Sequence, residues 1–370
     1  MSLTPHQPPR RCAIVGAGIV GAGVAQALAC RGWEVVVLEQ ESHAAASTSS
    51  LPVALAVPQV SADDAPRSRL IRLGIAGLKD HAQRYLQEGQ DWAPSGVLER
   101  RARGDDRWHA SGLWIKPARL VHAWLAQANI SLQTHAGIRS LHNQAGTWSL
   151  RDVQGQVWGG FEVVVLANAM GCKELLQPVA APQRIDTRWM SQLASLHGVH
   201  GLMSHGHYPE PWPDLPAHPI NGKGCFVPAL PDNNQARWVL GSTFVTDALQ
   251  AADIGTQHAQ NLERLRFLLP QGGADLIESL NQYRADFWSG TRCTTRDRFP
   301  VVGPIPGHAT AGLWICTAMG SRALSLVTVC TDWLASEIQG DLCGDSEVVP
   351  LARHFHAHRW LRQPTPCAAG

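Results

Sequence analysis

CAIVGAGIVGAGVAQALACRGWEVVVLEQ, residues 12–40, places an apolar run, three spaced glycines and a second apolar run ending in an acid within one short segment. Its pattern predicts a strand through Val15, a tight turn, a helix, and a buried strand from Trp33 to Leu38. Gly16, Gly18 and Gly21 form G-x-G-x-x-G. Gly16 permits the turn, Gly18 lets the backbone approach a pyrophosphate, and Gly21 lets the helix lie close on the strand. The phosphates would then face the positive end of the helix. Glu39 follows about 20 residues later, where a carboxylate can accept hydrogen bonds from a ribose hydroxyl. A dinucleotide-binding fold is expected.

Composition bounds what surrounds this turn. A chain of 370 residues with 45% hydrophobic residues can build two or three domains around a full-sized core. No apolar run approaches the roughly 20 residues of a membrane span, and MSLTPHQPPRR at the N-terminus lacks the apolar stretch of a signal peptide, so a cytoplasmic protein with no membrane partner is expected. Nine cysteines without paired spacing fit free, mostly buried thiols. The formal net charge of +1 gives no whole-molecule attraction to nucleic acid, so such a surface would have to be a local patch.

Further along, SRLIRLGIAGLKDHAQRYLQEG (68–89), ARLVHAWLAQANI (118–130) and TQHAQNLERLRFLLP (256–270) have helical spacing, while LPVALAVPQV (51–60), CFVPAL (225–230) and ARWVLGSTF (236–244) read as extended. PEPWPDLPAHPINGKG (209–224) contains five prolines and is expected to be an irregular loop without regular helix or central strand. Two later stretches choose the dinucleotide. GFEVVVLANAMG (160–171) is a buried strand entering a small-residue turn at Ala167 and Asn168. GLWICTAMGSRALSLVTVCTDWLASEIQG (312–340) repeats strand, glycine turn and helix, with Gly320 at the turn and a helix from Ala323 to Ile338. The N-terminus of that helix can stabilise negative charge on a reduced flavin, an element that a simple NAD enzyme does not need.

With these stretches in place the chain resembles the FAD-dependent oxidases of the D-amino-acid oxidase and glycine oxidase type. Within that family it is most similar to oxidoreductase domains of the MnmC type, which modify the wobble uridine of tRNA. The resemblance rests on the glycine turn, ASGLWIKPARLVHAWL (110–125), VVVLANAMG (163–171), LGSTFVTDALQAADIGTQHAQNLERL (240–265), GTRCTTRDRFPVVGPIP (290–306) and AMGSRALSLVTVCTDWLASEI (318–338). It implies a mixed α/β fold: a Rossmann-like FAD-binding domain (10–90, 116–175 and 286–345) with an inserted β-rich substrate domain (91–115 and 176–285) and a tail (346–370). Domains of the MnmC type usually follow a methyltransferase domain; this chain starts shortly before its glycine turn, so that activity is expected to be absent. The family's Asn, Arg and Gln over the flavin are replaced in AASTSSLPVALAVPQ (45–59), and its Lys-rich end becomes ARHFHAHRWLRQPTP (352–366).

The resemblance also implies site residues. FAD would be held by Gly16, Gly18, Gly21, Glu39, Ser47, Ala167, Asn168, Gly320, Ser321, Arg322, Ala323 and Leu324. Arg292 matches the carboxylate-binding arginine of the glycine oxidase pattern, and a planar guanidinium suits a carboxylate because it engages both oxygens. An ion pair of Arg292 with Asp297 or Asp286 is the alternative. Arg322 is expected near the flavin, contacting its carbonyl or a substrate phosphate, or else in a plain salt bridge. Cys293 reads as a buried thiol. The histidines at 197, 200, 205 and 207 and at 354, 356 and 358 lack Cys or carboxylate companions, so no metal is expected.

Three functions remain open at this point. The first is oxidation of the carboxymethylaminomethyl group of a wobble uridine in tRNA, releasing glyoxylate, with dioxygen as electron acceptor. The second is oxidation of a free small amine such as glycine, sarcosine or a D-amino acid. The third is a flavoprotein without turnover, motivated by the altered segment 45–59. A tRNA substrate would need phosphate contacts, for which ERRARGDDR (99–107) with Arg100, Arg101 and Arg103, RSRLIR (67–72) with Arg67 and Arg69, and Arg353, Arg359 and Arg362 are the candidates.

Overall fold

The structure is a computed structural model that describes residues 10–177, 185–208, 215–233, 235–246, 253–282, 284–307, 310–344 and 346–362. Its nucleotide half is built on a six-stranded sheet in the order Val301–Pro304, Leu313–Thr317, Val163–Leu166, Arg11–Val15, Glu34–Leu38, Ile130–Gln133. All neighbours are parallel except the antiparallel edge strand Val301–Pro304. Parallel strands covered on both faces need no polar side, and these obey that rule. Cys12, Ile14, Val35, Val37, Val163 and Val165 enter one core. Ala13, Val15, Val36, Leu38, Val164 and Leu166 enter the other. The first core is closed by helices Ile19–Ala29, Pro66–Tyr85, Pro117–Leu125 and Ala323–Gln339. The second is closed by an antiparallel meander of Ile138–Gln144, Thr147–Asp152 and Val157–Phe161, together with helix Thr187–Ala194.

A seven-stranded sheet forms the second half, in the order Asp286–Thr294, His197–His207, Gln235–Gly241, Gly224–Asp232, Ile220–Gly222, Val97–Glu99, Arg107–His109. Helices Ile254–Leu268 and Gly273–Asn281 cover one face through Leu262, Leu265, Leu276 and Leu280. On the other, Met203, Val239 and Trp288 meet Val53 and Trp114, so this face lies against the segment expected over the flavin.

Several expected boundaries move. Asp286–Thr294 is an edge strand of the seven-stranded sheet, paired from His205 opposite Asp286 to His197 opposite Thr294; the nucleotide half resumes after it, not at 286. Trp92–Ala93 and Leu113–Ile115 pair in a small sheet with Ala54–Ala56, and within 91–115 only the hairpin 97–109 joins the large sheet. Helix Thr187–Ala194 packs through Trp189 and Leu193 on the nucleotide sheet. The stretch expected to be a tail buries Leu351, Ala352 and Phe355 in one nucleotide core and Ala357 and Trp360 in the other; its positions 363–370 lie outside the described residues. In the Pro-rich stretch, 209–214 also lies outside them, while Ile220–Gly222 forms a short strand inside the sheet just after the last proline. No described helix is long and apolar enough to cross a membrane.

Candidate functional site

The glycine turn opens from the carboxyl end of Arg11–Val15. Gly16 adopts φ +102° and donates from its N–H to Leu38 O at 2.8 Å, a conformation that a Cβ would oppose. A Cβ on Gly21 would fall 1.9 Å from Gly16 O, so only glycine lets helix Ile19–Ala29 sit this close to the turn. The helix carries no acid in its first turn, which leaves its positive end uncompensated for an anion. Ile19 N–H donates to Ser49 Oγ at 2.9 Å. Glu39 is buried; its Oε2 accepts from Ala17 N–H at 2.6 Å and its Oε1 from Glu41 N–H at 3.1 Å.

These groups line one elongated cavity. It runs past the carboxyl ends of the parallel strands, from Leu38–Gln40 and Ser47–Ser49 through Ala167–Ala169 to Thr291–Cys293, Cys316–Gly320 and Ala323. Ligands of open parallel sheets occupy this position. Two further features lie along its wall. Asn168 Oδ1 is buried on its wall without a hydrogen-bond partner. Ala169 and Ala318, at φ +52° and +61°, hold left-handed conformations where the strands leave the sheet, a strain of about 1–3 kcal/mol each that clusters at functional sites.

Of the expected cofactor residues, Gly16, Gly18, Glu39, Ser47, Ala167, Asn168, Gly320 and Ala323 line the cavity, and Gly21 shapes its turn. Ser321 lines the adjoining cleft instead. Leu324 is packed in the nucleotide core. Arg322 lines neither space: its Nη1 donates to Val57 O at 3.3 Å, which ties it to the segment passing over the closing helix. Thr48, Ser49 and Thr291–Cys293 also line the cavity. The run of hydroxyls at 47–50 was the available signal for the first two. Cys293 is buried, and burial pushes its thiol upward.

Beside this cavity opens a cleft of about 660 Å³, within the usual range for small-ligand sites. Arg292, Met319 and Gly320 line both spaces, so the two meet there. Arg292 projects from the edge strand. Its Nη2 donates to Ser242 Oγ at 2.6 Å, while its Nη1 is buried with no partner. Burial pulls this guanidinium below the usual arginine range. Gly201 makes room for it: a Cβ there would lie 2.3 Å from Nη1. Neither expected acid reaches Arg292. Asp297 accepts from Thr295 Oγ1 at 2.7 Å and Phe299 N–H at 3.0 Å and pairs with Arg359, and Asp286 makes no ion pair among the described residues.

The cleft also gathers Arg67, Arg296, Arg298, His197 and Phe244 and contains no carboxylate among its lining residues. Of the expected phosphate contacts only Arg67 is here. Arg100 pairs with Asp106 and donates to Leu268 O, and Arg101 donates to Asp105 O; with Arg103 they stand at the opposite edge of the large sheet from Arg292. Arg359 is held by Asp297 and by the carbonyls of Pro300 and Phe355. Nor do the histidines cluster for a metal: His356 pairs with Glu337 and His354 stacks on Phe299, and no group of three potential ligands occurs among the described residues.

A profile described as FAD dependent oxidoreductase matches residues 11–112 and 104–337. The chain belongs to this FAD-dependent oxidoreductase family. Family membership makes it an enzyme, and the family is FAD dependent. The chain is 40% identical over 339 residues to the tRNA 5-methylaminomethyl-2-thiouridine biosynthesis bifunctional protein MnmC of Albidiferax ferrireducens, covering 89% of this chain and 56% of that protein. It is 34% identical over 380 residues to MnmC of Polaromonas naphthalenivorans, covering 92% and 58%. The chain thus spans somewhat more than half the length of these curated relatives. Among solved structures, glycine oxidase from Geobacillus kaustophilus superposes with TM-score 0.72 at 17% identity, covering 92% of this chain and 98% of the other. Iminodiacetate oxidase from Chelativorans sp. superposes with TM-score 0.68 at 15% identity, covering 92% and 98%. The chain therefore shares its fold with these two oxidases.

Proposed function

We propose that this chain binds FAD in the elongated cavity and oxidises a secondary amine bearing a carboxymethyl group, the carboxymethylaminomethyl substituent of a wobble uridine in tRNA. One observation carries the carboxylate assignment: a half-buried arginine, Arg292, with one buried guanidinium nitrogen unpartnered at the junction of cavity and cleft. A carboxylate placed there would receive the hydrogen bonds that Nη1 lacks. The likeness to two proteins named for a tRNA modification supports the nucleic-acid part.

Glu39, Asn168 and the turn at Gly16 would hold the nucleotide end, with Thr291–Cys293 and the closing helix beside the ring. Bound FAD would supply the two-electron oxidation by accepting hydride from the carbon between nitrogen and carboxylate. Arg292 fixes that carbon by its neighbouring carboxylate, which limits the orientations the amine can take. The amine must be neutral to react, and the Arg292 guanidinium at the junction disfavours the ammonium form. Oxidation leaves an imine that water cleaves. Overall, the amine, water and dioxygen give aminomethyl-uridine, glyoxylate and hydrogen peroxide.

The test is anaerobic mixing of the yellow, FAD-loaded protein with tRNA bearing the substituent, followed by mass spectrometry of the nucleosides. Bleaching of the flavin with stoichiometric glyoxylate and aminomethyl-uridine is expected. Rapid reduction by glycine, sarcosine or a D-amino acid, with none by the tRNA, would move the assignment to a small-amine oxidase.

A further inference from the structure

The cleft holds more positive charge than one carboxylate needs. Arg292 alone meets the cavity. Arg67, Arg296 and Arg298 stand around it, and none of the three has an ion pair or a side-chain hydrogen bond among the described residues. Arg67 Nε is buried without a partner. Burial, then the nearby charges of Arg322 and Arg298, push the Arg67 guanidinium down, with Asp297 opposing. Such a group of like charges is held at an electrostatic cost that an incoming anion relieves.

The local chain keeps it uncompensated. In the sequence Arg296-Asp297-Arg298 the central acid could pair with its neighbours, yet its bonds go elsewhere. Thr295 Oγ1 and Phe299 N–H donate to Asp297 Oδ1, and the largely buried Arg359 holds its carboxylate from behind. Arg298 itself adopts a left-handed φ of +61°. The outcome is two exposed arginines lining the cleft and one acid engaged by Thr295, Phe299 and Arg359.

Phe244 supplies the apolar part. The residue is 58% exposed, an unusual exposure for a phenylalanine, and lines the cleft with its ring centroid 5.1 Å from Arg292 Cζ. From the carboxylate on Arg292, the carboxymethylaminomethyl arm leads back to its pyrimidine over a few bonds, which is about the reach from Arg292 to this ring. An exposed aromatic face beside arginines free of carboxylates is the combination that binds single-stranded nucleic acid: the ring stacks a base and the cations meet phosphates.

We infer that the cleft mouth is a nucleotide collar, in which Phe244 stacks on the modified pyrimidine and Arg67, Arg296 and Arg298 contact the RNA phosphates flanking it. This rests on the tRNA reading above and deepens it. The two contact types separate by substrate size. The modified nucleoside has a base but no phosphate, whereas the tRNA has both.

The experiment measures kcat/KM for flavin reduction by the modified tRNA and by the free modified nucleoside, across a salt series, in the FAD-loaded full chain. Arg67→Ala, Arg296→Ala and Arg298→Asn are compared with wild type, Asn being chosen because it tolerates a left-handed φ. Each is expected to lower the magnitude of the log–log salt slope on tRNA by about 0.7–0.9, one phosphate contact, and to leave the nucleoside within twofold. Arg296→Lys should restore the slope, since a point charge suffices. Phe244→Leu should weaken both substrates, by about 5-fold or more, the loss of one base stack. Salt slopes unchanged in all three arginine variants while wild type turns over the tRNA would overturn the collar alone. Wild-type protein inert toward the modified tRNA would overturn both the collar and the reading beneath it.

Discussion

Arg292→Ala separates a substrate-binding arginine from a structural one, because the two roles predict opposite effects on stability. In the ligand-free protein Arg292 makes one side-chain hydrogen bond, to Ser242, and leaves Nη1 buried and unpartnered. The bond contributes about 1 kcal/mol, while an unsatisfied buried polar group costs about 1–3 kcal/mol. Removal should therefore leave stability nearly unchanged or slightly raised. A structural arginine in a buried ion pair would instead lose about 3–5 kcal/mol. Toward a carboxylate the guanidinium offers two charge-assisted hydrogen bonds, each about 1.5–3 kcal/mol. Taking about 4 kcal/mol for the pair, Arg292→Ala should lower kcat/KM for any carboxylated amine by about a thousandfold. Arg292→Lys keeps the charge but not the fork and should lose about 10- to 100-fold. The assay is anaerobic stopped-flow reduction of the bound flavin, paired with thermal unfolding and with the FAD content of each variant. Turnover within threefold of wild type in Arg292→Ala, or a stability loss near 3 kcal/mol, would refute the assignment.

Gly201→Ala should mimic the lysine variant without replacing the arginine. Its Cβ would fall 2.3 and 2.7 Å from the two terminal nitrogens of Arg292 and 2.8 Å from Thr243 O, so the movable guanidinium gives way; amine turnover should drop at least tenfold, at one decade per about 1.4 kcal/mol, with FAD retained. In Gly21→Ala the Cβ meets the carbonyl of Gly16 at 1.9 Å, and the protein should purify colourless, as absorbance after denaturation will report. Asp297 supplies a pH dependence. Burial works to raise its pKa, but Arg359 and the hydrogen bonds from Phe299 N–H and Thr295 outweigh it, so the folded carboxyl lies below its usual range. The stabilisation is then complete above the unfolded carboxyl range, near pH 4, and is lost as pH falls through the folded value. Thermal melting from pH 6 to pH 3 should accordingly show a shallower acid loss in Asp297→Asn than in wild type.

What could be read from the chain was local. The turn at Gly16–Gly21, Glu39, the strand Val163–Leu166 and the closing strand and helix after Leu313 each declare themselves within a few consecutive residues, through periodicity and glycine sterics. The misplaced parts depend on distant partners. Asp286–Thr294 belongs to the large sheet only because His197–His207 lies alongside it, a pairing no local pattern announces. Arg322 follows the flavin turn in sequence, yet its guanidinium ends on Val57 O. The resemblance makes 346–362 part of a tail, while the spacing of Phe355, Ala357 and Trp360 decided the packing. The exposure of Phe244 had no local signal, since an aromatic after a buried strand reads as core.

The segment 291–298 shows how one short stretch serves two spaces. As the edge strand of the large sheet, it carries Thr291, Arg292 and Cys293 across the elongated cavity. Arg292 is therefore set by strand register, opposite Val199, and sits at the junction. Past Thr294 the strand ends, and the chain turns with buried Thr295 bonded to Asp297 and Phe299, while Arg296 and Arg298 line the cleft. Three arginines six positions apart at most thus differ in role for a backbone reason: one is on the ladder and two are on the turn. The ladder arginine is half-buried, partly unpaired and suited to a small fixed anion. The turn arginines are exposed and suited to a mobile, solvated one. A carboxylate beside the reacting carbon and phosphates farther along a nucleic acid are a matching pair of anions, which is why substrate chemistry and substrate size can be tested on adjacent residues.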